Sequence, residues 1–387
     1  MAQAKLTQLQ QALNERATQQ LLRHPVTLDS YNGRDITVNG RHYLNFSGND
    51  YLGLATAPEV LQAFADGAAK YGAGSSGSPL LTGQHKVHQQ LSDTLCDWLE
   101  VERTLLFSSG FAANQAMLLT LADQQDVLLL DKLSHASLID AARHSNAHFK
   151  RFAHNDLSAL NSLLAQQRAL AQQPLVVTEG VFSMDGDSPD LPAMLALCQQ
   201  YDAPLLLDDA HGLGVSGPEG QGSAAAQGMA TSELFCLMAN FGKALGVGGA
   251  FIAGSKTVLD YLEQFGRHYI YSTALSPALC AAVLKSIELC RSQNWRREQL
   301  QQNIGLFRKL AADLPLLSSH TAIQGMLLGS NERAIAASDQ LKQAGIWLSA
   351  IRPPTVPAGS ARLRITLSSQ HTAHDITLLV QQLRQLV

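Results

Sequence analysis

The chain has 387 residues, room for two or three domains at about 150 residues each. Apolar residues make up 46% and charged residues 16%, which excludes extensive disorder, and 28 Lys and Arg against 32 Asp and Glu leave a net charge of −4. That balance lacks the basic excess a nucleic-acid partner requires, and no uncharged apolar run reaches membrane-spanning length, so neither nucleic acid nor membrane is an expected partner. With no apolar signal core near the start, the expectation is a cytoplasmic protein. Cys96, Cys198, Cys236, Cys280 and Cys290 are odd in number, lack C-x-x-C spacing and read as buried free thiols.

In chain order, Leu6, Leu9 and Leu13 share one face of an expected docking helix that runs to about Leu22, where His24-Pro25 stops it. An extended stretch follows at 41–46. Apolar runs at 104–107, 127–130, 175–178, 205–207, 234–238 and 250–253 then alternate with longer helical patterns, which predicts an α/β domain around a mostly parallel sheet. From about Pro277 the pattern changes to long helices, short strands near 325–328 and 362–366, and a last helix to Val387. The expected division is an N-terminal helix with short strands (1–46), a large α/β domain (47–276) and a smaller α+β domain (277–387).

Gly72-x-Gly74-x-x-Gly77 and Gly212-x-Gly214-x-x-Gly217 both spell the dinucleotide fingerprint. Its physics requires a strand leading directly into a helix whose first amides hold the pyrophosphate. The first match follows a helical pattern, and the second runs into Pro218-Glu219-Gly220, so a nicotinamide dehydrogenase is not the expectation. Ser109-Gly110-Phe111 fits an anion site better, lying between the run ending at Phe107 and a helical stretch at 112–121. Taken alone, the segment reads better as an ordinary strand-to-helix turn.

The run 205–207 ends in Asp208-Asp209-Ala210-His211, and strand alternation sends the two carboxylates to opposite faces. This cluster could meet a ligand, cap a helix, form an ion pair or hold a metal through Asp208 and His211. No further His or Cys at ligand spacing supports a metal; His85 and His88 read as solvated. Thirty-five residues beyond Asp208, Lys243 is a lone charge between two apolar stretches. Such a lysine either snorkels to solvent or has its pKa lowered toward the neutral amine that Schiff-base chemistry needs. Pyridoxal phosphate (PLP) requires a lysine, an anion for its pyridine nitrogen, and amides or hydroxyls for its phosphate. Lys243, Asp208 and Ser109-Gly110 supply these.

Eight segments, in this order and spacing, extend the pattern. They are Asn45-Phe-Ser-Gly-Asn-Asp-Tyr-Leu-Gly-Leu54, Ser109-Gly-Phe-Ala-Ala-Asn-Gln115, Ser134-His-Ala-Ser137, Thr178-Glu-Gly-Val-Phe-Ser-Met-Asp-Gly186, Asp208-Asp-Ala-His-Gly212, Phe241-Gly-Lys243, Tyr271-Ser-Thr273 and Arg352-Pro-Pro-Thr-Val-Pro357. Through them the chain resembles, nearly end to end, the α-oxoamine synthases of the aspartate-aminotransferase-like (fold type I) PLP enzymes. The resemblance implies PLP as cofactor, bound covalently by Lys243, with Asp208 at the pyridine nitrogen, His135 stacked on the ring and able to reach the acyl substrate, and His211 at the phenolic oxygen. It places Ser183 at the cofactor edge, Gly110, Phe111 and residue 240 near the phosphate, and Asn49, Arg352, Thr355 and Arg364 on substrate. Ser272 and Thr273 would reach the phosphate of the neighbouring chain in a homodimer.

The implied reaction joins L-alanine to a pimeloyl thioester, carried by CoA or acyl carrier protein, with loss of CO2 and the free thiol. A sister synthase using glycine and acetyl-CoA, and a non-catalytic binding protein on the same fold, are the alternatives. Two positions depart from the family pattern. Residue 240 is Asn where Thr is usual, though an amide NH2 still donates. The arginine often found near the end of the first helix has only Leu21 and Arg23 as nearby equivalents and is left unassigned.

Overall fold

The apolar runs of the middle of the chain all form strands in the computed structural model, which describes residues 2–386. Arg103–Phe107, Ala250–Gly254, Cys236–Asn240, Leu205–Asp208, Gln173–Glu179, Asp126–Asp131 and His148–Phe152 make, in that spatial order, one seven-stranded sheet. Ala250–Gly254 is antiparallel to both its neighbours, and the remaining pairings are parallel. Helices pack on this sheet, so its inner strands are buried throughout and read as continuous apolar runs rather than alternating ones. Ala113, Met117 and Leu118 of the Gly110–Leu121 helix share a core with Leu130, Val177, Leu206, Met238 and Ile252. His148–Phe152, the one strand not anticipated, lies at the sheet's edge. Its sequence, His-Phe-Lys-Arg-Phe, is only partly buried and has no apolar run to announce it.

Parallel strands bring their carboxyl ends to one edge. The segments that follow Phe107, Asp131, Glu179, Asp208 and Asn240 therefore gather there, although up to 133 residues separate them in sequence.

The described residues cluster into two compact units. Asn49–Ser183 and Asp187–Gln299 form one; residues up to Gly48, Met184–Gly186, and Leu300 onward form the other. The N-terminal strands therefore do not stand apart from the C-terminal part as the sequence suggests. Arg41–Asn45 pairs with Ile346–Trp347, the His371 ring lies 3.0 Å from the Asn45 carbonyl, and Arg34 makes a bidentate contact with the buried Asp375 at 2.6 and 2.7 Å. The Pro277–Ser292 helix, expected in the smaller domain, clusters with the sheet unit, where it packs along the Pro58–Tyr71 and Lys86–Leu99 helices.

The first helix spans Ala2–Thr18, shorter than expected, because Gln20 turns left-handed (φ +57°) and the Leu21 amide closes on the Arg16 carbonyl. Leu6, Leu9 and Leu13 are exposed, and none of the helix's described residues is buried. The last helix is Ala373–Arg384; Val387, to which it was expected to run, lies outside the described residues. Strands Ile323–Gly329 and Ala361–Thr366 occupy the two short runs read near 325 and 362. All five cysteines are free thiols, buried except for the partly covered Cys96.

Candidate active site

Asp208 ends its strand nearly buried, with one oxygen 3.0 Å from the Ala210 amide and the other 2.8 Å from Asn114 Nδ2. Two donors leave a carboxylate with further lone pairs to offer a ligand N–H. The same Asn114 nitrogen donates to Ser137 Oγ at 2.9 Å, which lies 2.8 Å from His135 Nδ1. Because Ser137 Oγ accepts from Asn114, its own proton goes to Nδ1, which also takes the Ser137 amide at 3.3 Å. His135 therefore carries its ring proton on Nε2. Burial lowers the pKa of His135, Asp208 opposes that shift and Lys243 adds to it, so the ring is a neutral donor.

The backbone of His135 is held by Glu179, whose Oε1 accepts its amide at 2.5 Å. Glu179 is buried and pairs directly across the sheet with Asp208. Burial, then the neighbouring Asp208, pushes its pKa well above the usual carboxylate range.

Alternation works at the strand end as expected. Asp209 turns away from Asp208 and accepts from the Ser223 amide at 2.7 Å and the Ser223 hydroxyl at 2.6 Å. Burial raises Asp209 to about 7. A Cβ at Gly212 would come within 2.1 Å of Asp209 Oδ1, and one at Gly222 within 2.0 Å of Oδ2. Of the second decoy motif, Gly212 thus makes room for a carboxylate inside the fold, and the next helix, Ser223–Ala226, has four residues and starts six residues past Gly217, so the motif does not open directly into a helix that could hold a pyrophosphate. His211, two residues on, is nearly buried, with Nδ1 2.6 Å from the hydroxyl of the buried Tyr51.

Lys243 follows the Cys236–Asn240 strand and is partly covered, and its charge works to lower the pKa of His135, Glu179 and Asp209. Asn240 Oδ1 accepts the Gly242 amide at 3.1 Å, which turns Nδ2 toward the start of the Gly110–Leu121 helix. There Ser109 caps the helix through the Ala112 amide, and a Cβ on Gly110 would lie 3.6 Å from Asn240 Nδ2. The opening amides of that helix have no intrahelical acceptor and, with the amide group of Asn240, suit an anion. Ser183, in the turn after Gln173–Glu179, is partly covered.

These residues fit PLP by their chemistry: a primary amine, a carboxylate with spare acceptor capacity, an imidazole donor and a helix start lined by glycine. Ser272 sits elsewhere. It borders a hollow with Leu119 and Thr120, at the far end of the helix from Gly110, roughly 14 Å along the axis.

In the other unit, Thr355 Oγ1 accepts from Arg23 at 2.9 Å. Arg352 donates to the carbonyls of Gln20 and Leu22 and keeps a buried Nε without a partner. These side chains, with His24, Trp347 and Ser349, border a cavity of about 480 Å³. Arg364 is nearly buried on its strand, 3.1 Å from Thr366 Oγ1. Of the two unassigned N-terminal candidates, then, Arg23 is the one directed at a predicted substrate residue. Asn114, Tyr51, Glu179 and Arg23 are the residues the sequence reading did not assign; the first three lie inside motifs already noted.

One further expectation needs correction. His88 is not solvated, and His85 is solvated only in part. His88 is 1% exposed, its Nε2 lies 2.7 Å from the Leu275 carbonyl and its Nδ1 accepts the His85 amide, while His85 is half-covered.

Comparison with known proteins gives a consistent result. Residues 41–383 match the family described as aminotransferase class I and II. An 8-amino-7-oxononanoate synthase from Vibrio cholerae is 48% identical over 382 residues, covering 98% of this chain and 97% of the relative. Among solved structures, a serine palmitoyltransferase from S. paucimobilis with a bound PLP–myriocin adduct superposes with a TM-score of 0.93 at 27% identity, covering 98% of each chain. The 8-amino-7-oxononanoate synthase from Francisella tularensis gives 0.78 at 32% identity, covering 89% of this chain and 97% of its own. The chain belongs to the class I and II aminotransferase family and, within it, to the 8-amino-7-oxononanoate synthases.

Proposed function

We propose that this enzyme condenses L-alanine with a pimeloyl thioester to give 8-amino-7-oxononanoate, CO2 and the free thiol, a step of biotin biosynthesis. The observation that carries this reading is the convergence of Asp208, His135, His211 and Lys243 with the Gly110 helix start at one sheet edge. PLP, when bound, supplies the electron sink that makes the α-carbon of an amino acid acidic.

Each residue then has a definite task. Lys243 Nζ would hold the cofactor and would take the α-proton of the amino acid. Asp208, fixed by Asn114, would pair with the pyridine nitrogen and keep it protonated. His135 would lie against the cofactor and offer its Nε2–H to the thioester carbonyl. His211, braced by Tyr51, would meet the phenolic oxygen. Gly110, Phe111 and Asn240 Nδ2 would hold the phosphate, and Ser183 would lie at the cofactor edge. Asn49, Arg352, Thr355 and Arg364 contact substrate, and Arg23 joins them through Thr355. A pimeloyl chain ends in a carboxylate, which suits two guanidinium groups and a hydroxyl; an acetyl group offers them nothing, which counts against the glycine and acetyl-CoA alternative.

The enzyme acts as a cytoplasmic homodimer in this reading, with CoA or acyl carrier protein as thiol carrier. The position of Ser272 beside Leu119 and Thr120, at the far end of the helix that Gly110 opens, supports Ser272 and Thr273 serving the partner's phosphate. No described helix is long and apolar enough to cross a membrane. The test is borohydride reduction of the PLP-loaded enzyme followed by peptide mapping. A label on Lys243, absent in Lys243→Ala, is expected; a label elsewhere, or none, overturns the assignment.

A further inference from the structure

Two carboxylates beside the site share one imidazole. Asp131 ends its strand four residues before His135, and Asp187 follows Ser183 by four. Between them His154 places Nδ1 2.9 Å from Asp131 Oδ1 and Nε2 2.8 Å from Asp187 Oδ2. An ionised carboxylate only accepts, so both ring nitrogens carry protons and the ring is an imidazolium. Burial works against that charge, and the bonds to Asp131 and Asp187 outweigh it, holding the proton up to about pH 10.

Several neighbours hold the ring in place. Asp131 is fully buried and its Oδ1 also accepts the Leu133 amide at 2.8 Å, which shapes the turn leading to His135. Asn155 backs both carboxylates, with its amide 2.9 Å from Asp131 Oδ2 and its Nδ2 2.8 Å from Asp187 Oδ2. The Phe182 ring, next to Ser183, meets the imidazole edge-on at 4.4 Å and 88°. The Phe182 amide closes the turn on the Asp187 carbonyl at 2.9 Å.

We infer that His154 is a positioning residue for the cofactor site, tying the turn that presents His135 to the turn that presents Ser183 by hydrogen bonds from both ring nitrogens. It touches neither cofactor nor substrate. This inference rests on the PLP reading above. Its consequence is specific: the ring-stacking and edge contacts of the cofactor share one brace, so removing the brace loosens the cofactor rather than merely the fold.

The experiment compares the parent with His154→Leu, His154→Gln and Asp187→Asn, measuring the PLP dissociation constant and the visible circular dichroism of the loaded enzyme, with the melting temperature of the cofactor-free protein alongside. His154→Leu is expected to weaken PLP at least tenfold and to change the visible dichroism. His154→Gln and Asp187→Asn, which keep part of the brace, should fall between it and the parent. Should His154→Leu fail to fold, the two conservative variants carry the test. Parent-like PLP affinity and dichroism in the variants, with only a lower melting temperature, would assign His154 to the fold alone and overturn the inference. Absence of any visible PLP band in the parent would overturn the cofactor reading and this inference with it.

Discussion

Asn114→Ala removes the side chain that joins Asp208 to Ser137 and, through it, to His135. Its amide nitrogen makes a 2.8 Å bond to the Asp208 carboxylate and a 2.9 Å bond to the Ser137 hydroxyl, in a site where Asn114 is 1% exposed. A hydrogen bond to a charged group is worth about 1.5–3 kcal/mol and one between neutral groups about 1 kcal/mol. Both bonds form without cofactor; the second joins two neutral side chains, so its loss falls on stability. The first fixes the carboxylate that must face the pyridine nitrogen, so its loss falls on cofactor binding, by roughly ten- to a hundredfold at 1.4 kcal/mol per decade. Titrating PLP into the cofactor-free protein by visible absorbance reads the effect on cofactor binding, and thermal melting of the same sample reads the effect on stability. Asn114→Asp should be worse than Ala, because it sets a second carboxyl against Asp208. If Asn114→Ala binds PLP within about threefold of the parent while Asp208→Ala loses more than a hundredfold, Asn114 does not orient Asp208 and the hydrogen-bonded chain has no functional meaning.

Arg23→Ala should raise KM for the pimeloyl thioester by about ten- to a hundredfold, the cost of one donor to a carboxylate, and leave the alanine-induced spectral change intact. Arg352→Ala should do the same and more, since it also frees the 20–22 segment that precedes Arg23; steady-state kinetics with varied thioester decides both. Burial works to raise the pKa of Asp375, but Arg34 and the Thr372 cap outweigh it and lower the pKa to about 2 against an ordinary 3.8. Its contribution to stability is present above about pH 4 and lost as pH falls through 2, so Asp375→Asn should melt several degrees below the parent at pH 7 and the gap should close in acid. His371 is the opposite case: burial lowers it to about 4, with the neutral ring tied to Asn45 and Ser368. The stability it adds is present above pH 6.5 and lost as pH falls from there through 4, so the melting difference between parent and His371→Gln should shrink across that window.

The sheet was legible because parallel strands buried on both faces must be apolar throughout, and six such runs stood out between helical patterns. Asp208 and Lys243 were legible for a related reason, each being a charge set against apolar sequence where a strand stops. The edge strand His148–Phe152 was not, since a half-exposed strand with two cations has neither run nor alternation. Tyr51 and Asn114 stayed hidden because their partners are distant: 160 residues separate Tyr51 from His211, and 94 separate Asn114 from Asp208. Local pattern carries no information about such pairs, which the crossovers of the sheet create. Reading His88 as solvated failed similarly, because its partner Leu275 is 187 residues away. Arg23 could be narrowed to two positions from sequence, and the bond to Thr355 separates it from Leu21.

The reaction itself is tested most directly by incubating the PLP-loaded enzyme with L-alanine or glycine against pimeloyl or acetyl thioesters, following thiol release and identifying products by mass. The account predicts the fastest release with L-alanine and a pimeloyl thioester, and a product with the mass of 8-amino-7-oxononanoate. Faster turnover of glycine with acetyl-CoA, or thiol release without loss of CO2, would contradict it.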